Sequence, residues 1–178
     1  MGSELWSSLR PIGLDELNEL ASLETRLDRK YLVPPGLIEE LLDELRPELR
    51  VLEIDGLRRF EYETVYFDTE DCDSYLAAAH SRPKRFKVRT RTYLDSQLCT
   101  LEVKTRNGRQ RTVKHRLPYS FRDRARLTEV GTRFVLATIG APDGRALLDP
   151  LLINHYARRT VLLPGADIRA TIDSAYRC

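Results

Sequence analysis

A run of cations in step with a β-strand period constrains this chain more than any other feature. Residues 82–116 hold twelve Lys/Arg (82, 84, 85, 87, 89, 91, 104, 106, 109, 111, 114 and 116) against two acids, Asp95 and Glu102. That local balance of +10 sits in a chain whose formal net charge is +2, so the remainder, 17 basic against 25 acidic residues, sums to −8. A charge run without periodicity stays solvated or disordered. This one alternates. In KVRTRTY, Lys87, Arg89, Arg91 and Tyr93 fall on one face of a strand, and Val88, Thr90 and Thr92 on the other. In TLEVKT, Thr100, Glu102 and Lys104 oppose Leu101 and Val103. Adjacent strands of this kind bring like charges close together, and the array repels itself unless interleaved carboxylates or a polyanion neutralise it. A multiply charged anionic ligand is the economical reading. Four of the five lysines (Lys84, Lys87, Lys104, Lys114) lie in the stretch and Lys30 outside it; the other cations are 24 arginines. Arg grips phosphate oxygens two at a time, whereas Lys acts as a mobile point charge.

The rest of the chain reads as support for such strands. Residues 1–10 are expected to be a loose leader, and Leu14, Leu17, Leu20 and Leu23 predict a short amphipathic helix over 12–23. Residues 24–33 alternate Glu24, Arg26, Asp28 and Lys30 with Thr25, Leu27, Arg29 and Tyr31, a strand with a polar face, stopped by Pro34-Pro35-Gly36. Residues 37–45 predict a helix, 49–54 a weak strand, and 59–67 a better one with Tyr62, Thr64 and Tyr66 facing one way. Asp68-Thr69 can cap a helix that runs through Ala79. Asn107-Gly108 is a hairpin signal leading into a third basic strand over 109–118. A helix is expected from Thr128 to Ile139, ended by Gly140, and then strands over 151–163 and 166–175. The first of these puts Asn154, Tyr156, Arg158 and Thr160 on one face, the second Arg169, Thr171 and Asp173. Seven or eight strands with a polar face on nearly every one predict an α+β, mainly β fold: an antiparallel β-barrel with a polar lumen and peripheral helices.

Three isolated cysteines (Cys72, Cys99, Cys178) and no Cys/His ligand spacing predict a reducing, cytoplasmic setting without a zinc site. No apolar run approaches the roughly 20 residues that span a bilayer, so no membrane insertion is expected. His80, His115 and His155 do not cluster and are read as surface or hydrogen-bonding residues. RNA binding would want aromatics presented on the basic strands, where Tyr93 stands alone, so nucleic acid is not expected as a partner.

The succession DRKYLV, VYFDTED, RFKVRTRTYLD, LEVKTRNGR, RTVKHRLPY, YARRTVLLP and RATID resembles the VTC-type catalytic domain of the triphosphate tunnel metalloenzymes, from about residue 25 to the end. The resemblance implies a tunnel-forming antiparallel barrel over 24–178, with 1–23 as N-terminal leader and helix. It implies a phosphotransferase that binds ATP or another triphosphate and polyphosphate, and that makes polyphosphate from ATP with a divalent cation, Mn or Mg. It implies catalytic roles for Lys30, Arg89, Arg91 and Lys104, and phosphate contacts from these together with Arg111, Lys114, Tyr156 and Arg158. Face assignment agrees for Arg89, Arg91, Lys104, Tyr156 and Arg158, whereas an unbroken strand would separate Arg111 from Lys114. The family pattern continues to a strand whose Glu binds the metal, and the sequence stops at Cys178, before it. The metal ligand is therefore unidentified, with Glu24, Asp28, Glu102 and Asp173 as oxygen donors to consider. An absent closing strand would leave an open edge suited to oligomer formation. A non-catalytic polyphosphate- or nucleotide-binding module and a tripolyphosphatase stand as alternatives.

Overall fold

The computed structural model describes residues 2–21, 29–106, 112–141, 148–163, 165 and 168–178. In chain order the elements are α1 (Gly2–Ser8), β1 (Arg10–Ile12), α2 (Leu14–Leu20), α3 (Pro35–Glu44), β2 (Arg50–Leu52), β3 (Phe60–Asp68) and α4 (Asp73–Ala79). They continue with β4 (Arg85–Tyr93), β5 (Leu98–Arg106), β6 (Thr112–Tyr119), a 3-10 turn (Phe121–Asp123), α5 (Glu129–Ile139), β7 (Asp149–Leu163) and β8 (Ile168–Arg177). The fold is α+β and mainly β, with antiparallel pairing throughout the basic strands, as predicted. Two compact units divide the chain: Met1–Phe60 with Arg158–Ser174, and Glu61–Ala157 with Ala175–Cys178.

In the second unit the strand order is β7-β3-β4-β5-β6. One face is apolar because alternation places Val65 and Phe67 of β3, Val88 of β4, and Leu101 and Val103 of β5 on the same side. Val135 of α5 joins them in the core, and Phe134, Leu117 and Tyr119 pack around it. The limits of α5 are those the sequence signals. Thr128 Oγ1 accepts from Gly131 N–H at 3.2 Å, and Gly140 takes the left-handed conformation (φ 75°) that ends the helix.

At α4 the sequence signal is right but its geometry is indirect. The formal cap is Cys72 (φ 57°), with no side-chain bond, and Asp68 satisfies the orphan donors from a distance. Its buried carboxylate accepts from Thr69 N, Ser74 N and Ser74 Oγ at 2.9 Å and from Tyr75 N at 2.8 Å. The helix therefore begins at Asp73, after a turn. Asp68→Ala removes four acceptor contacts at once and should cost about 2–3 kcal/mol in urea unfolding, with Asp68→Asn intermediate. A change below about 0.5 kcal/mol would show that water replaces the carboxylate there.

In the first unit β1 runs parallel to β2, β2 antiparallel to β7, and β8 lies beside β7. Of the loose leader expected over 1–10, the described residues 2–10 are instead ordered into α1 and the start of β1. Leu5, Trp6 and Leu9 are buried against Leu42, Leu49, Val51 and Val161. Arg58 donates to the carbonyls of Trp6, Ser7 and Leu9 at 2.7, 3.0 and 3.2 Å, while Glu53 accepts from its Nε at 2.6 Å. A cation on the terminal carbonyls of so short a helix supplies what its own propensity does not.

The strand expected over 24–33 also requires correction. Residues 24–28 lie outside the described residues, and 29–34 form no strand. Pro34 and Pro35 lack the N–H groups a ladder needs, and Tyr31 and Leu32 are exposed. The helix expected over 12–23 is the shorter α2, and Asn107-Gly108 lies outside the described residues.

Candidate functional site

The face of the second unit opposite α5 gathers the cations. Alternation and register place Arg85, Lys87, Arg89 and Arg91 of β4, Lys104 and Arg106 of β5, and Lys114 and Arg116 of β6 on it together. Tyr66 pairs with Arg89 and Thr64 with Arg91, so β3 adds Tyr62, Thr64 and Tyr66 to the same face. Among the described residues of β4, β5 and β6, eight cations share the face with one carboxylate, Glu102; on β3 the same alternation adds Asp68, whose carboxylate is taken up by the amides that open α4.

Glu102 is buried and holds a cation from each neighbouring strand. Arg89 donates to Oε2 from Nη2 at 2.7 Å and from Nε at 2.8 Å; Lys114 Nζ lies 2.5 Å and Arg116 Nε 3.4 Å from Oε1. Burial by itself would raise its carboxyl pKa, but the Lys114 hydrogen bond and the Arg89 charge outweigh it and hold the group at about 2. Arg89 is pushed up, the Glu102 charge overcoming the opposing effect of burial. Lys114 is pulled down, first by burial and then by Arg116 and Arg89, against the opposing pull of Glu102. One carboxylate thus leaves the array under-neutralised. Lys87 and Lys104 are exposed and lack a carboxylate partner among the described residues. Arg91 Nε and Thr64 Oγ1 are buried without a hydrogen-bond partner there, although such atoms normally have one.

Beside the cations lies a set of tyrosines. Tyr62 and Tyr156 stack at 5.1 Å and 5°, Tyr156 and Tyr176 at 6.1 Å and 19°, and Tyr93 tilts against Tyr62 at 4.9 Å and 54°. The Arg91 guanidinium lies 6.0 Å from the Tyr62 ring centre. On the other face, Glu63 accepts from Arg124 at 2.8 Å and lies 3.7 Å from His155 Nε2.

Of the residues picked out in the sequence, Arg89, Arg91, Lys104 and Lys114 come together on this face, and Tyr156 lies in the same unit inside the tyrosine stack. Arg158 belongs to the first unit, where it grips Asp173 in a bidentate pair at 2.6 and 2.7 Å. Lys30, also in the first unit, is exposed and on no strand, which corrects its expected place on a tunnel strand. Arg111, Glu24 and Asp28 lie outside the described residues. The sequence reading missed Thr64, Tyr62 and Tyr66 as part of the site, although their alternation was visible, and missed Tyr176 altogether.

Among the described residues there is no group of three or more His, Cys, Asp or Glu able to hold a metal ion. Glu102 has both oxygens committed within a positive surround, and Asp173 is engaged by Arg158.

A family model described as the VTC domain matches residues 25–178. No curated protein matches the chain. Among solved structures it is similar to a Hippeastrum protein proposed as an adenylyl cyclase and described as having a dominant triphosphatase activity, at 16% identity and a TM-score of 0.44, covering 80% of this chain and 70% of that one.

Proposed function

The chain belongs to the VTC domain family, and from that membership we propose that its basic face binds the phosphates of ATP or polyphosphate and serves phosphoryl transfer from ATP to a growing polyphosphate chain. The supporting observation is the charge imbalance: eight cations on one face of β4, β5 and β6 against Glu102 alone among the described residues of those strands. Phosphoryl transfer asks for positioning and charge neutralisation more than for covalent help, and fixed Arg and Lys side chains supply both. Arg89 and Arg91 offer planar forks for non-bridging oxygens, and Lys87, Lys104 and Lys114 add point charges along the chain of phosphates. In synthesis, a terminal oxygen of the acceptor polyphosphate attacks the γ-phosphorus, its bond to the bridging oxygen breaks, and a nucleoside diphosphate leaves. In hydrolysis, water takes the acceptor's place and a proton is released.

A binding module without turnover, or a tripolyphosphatase, is compatible with the same basic face. We take residues 24–178 as the phosphate-handling domain. We place it in the cytoplasm, since Cys72, Cys99 and Cys178 are free and no described helix is long and apolar enough to cross a membrane.

The test is incubation of the full chain with ATP and Mn²⁺, reading polyphosphate and free phosphate together. Polyphosphate that accumulates with the native chain and not with Arg89→Ala/Arg91→Ala supports the polymerase. Free phosphate alone means hydrolysis in place of transfer, which a parallel incubation with tripolyphosphate assigns to a tripolyphosphatase, and binding without turnover of either means the module. Activity unchanged in the double variant removes the site. Single alanine variants at Lys30, Lys104, Arg111, Lys114, Tyr156 and Arg158 in the same assay decide the remaining phosphate contacts.

A further inference from the structure

We propose that Tyr176 is a stacking platform for the base of a nucleotide, an inference that rests on the phosphate-binding reading above and adds to it a site for the flat heteroaromatic end of the ligand. Tyr62, Tyr156 and Tyr176 make a column of near-parallel rings. Tyr62 shares its sheet face with Arg89 and Arg91, so the column stands beside the cations that would take the phosphates. Tyr156 is used on both sides and buried. Tyr176 closes the column with one ring face only. It is 59% exposed, and no other ring lies against its outer face among the described residues.

The backbone is bent to put it there. Tyr176 of β8 meets Tyr156 of β7 directly after Ala175. The Ala175 φ of 53° is left-handed, a conformation that residues with a Cβ rarely adopt, and such an irregularity re-aims the next side chain. Asn154 then fixes the ring, its Nδ2 donating to Tyr176 Oη at 2.6 Å. A strained residue held in place to present an exposed aromatic is a device found at ligand sites. Stacking accepts any base, because each has a π-face, so the platform distinguishes nucleotides from bare polyphosphate rather than one nucleotide from another.

The test is equilibrium binding of ATP, GTP and tripolyphosphate to the full chain by calorimetry. Tyr176→Ala should weaken ATP and GTP about tenfold each and leave tripolyphosphate unchanged, with Tyr176→Phe close to the native protein. Unchanged ATP affinity in Tyr176→Ala, with tripolyphosphate still bound, overturns the platform alone. Equal loss for tripolyphosphate also overturns it, since the ring would then merely support the fold. A native chain that binds neither ATP nor tripolyphosphate overturns the phosphate reading and the platform with it.

Discussion

Arg89→Ala combined with Arg91→Ala should weaken tripolyphosphate binding by about 10²- to 10⁴-fold, because each charged hydrogen-bonding contact is worth about 1.5–3 kcal/mol. The two side chains differ in what they leave behind. Arg91 has a buried Nε without a partner among the described residues, so its loss removes a group still seeking an acceptor. Arg89 already serves Glu102, and its removal also strips that carboxylate of its closest guanidinium. Arg89→Ala alone is therefore expected to reduce both affinity and stability, and Arg91→Ala alone chiefly affinity. Calorimetry with tripolyphosphate, beside thermal unfolding of the unliganded variants, separates the two effects. Native-like affinity in a folded double variant would put the phosphates elsewhere.

Glu102→Gln should be the most damaging single change to the unliganded protein, on the order of 2–4 kcal/mol, since it leaves Arg89, Lys114 and Arg116 facing one another with no anion between them. Saturating tripolyphosphate should recover much of the loss: a ligand at about 100 times its Kd stabilises the folded state by ~2.7 kcal/mol. The pH dependence has a definite sign. A carboxyl held at about 2 rather than an ordinary 4.5 contributes its stabilisation above the ordinary value and loses it as pH falls toward the lower one. The native chain should shed about 3 kcal/mol across that window from this group, and Glu102→Gln should lack this component. Equal stability of the two proteins near pH 7 would sink the account. Lys114 gives the complementary effect: with its pKa lowered, anion affinity should begin to fall with rising pH earlier than an ordinary lysine would allow.

How much of this was legible depended on whether the signal was local. The basic strands announced their faces by alternation, and the register confirms those faces for Arg89, Arg91 and Lys104. Thr128 and Gly140 marked α5 because a cap and a left-handed stop are properties of single positions. Helix α1 gave no such signal. It holds two apolar anchors, Leu5 and Trp6, with Leu9 just past its end, and the arginine that donates to carbonyls at that end lies about fifty residues further on, so only tertiary structure reveals it. Glu102 was visible as an acid among bases and was considered as an oxygen donor to a metal. Its function as the shared partner of three cations depends on strand register, which spacing alone does not fix. Tyr176 was hidden by Ala175, since parity along a strand misleads wherever one residue turns left-handed.

If phosphates bind on this face, the internal carboxylate should also set a length threshold for what can be held. Glu102 already occupies the place a lone phosphate would take between Arg89 and Lys114, so orthophosphate enters as a competitor against a tethered rival at high local concentration. A chain of several phosphates escapes that contest by reaching outward to Lys87, Lys104 and Arg91. Selectivity should therefore climb with the number of linked units, which the protein reads as distance travelled along the strands rather than as charge density at one point.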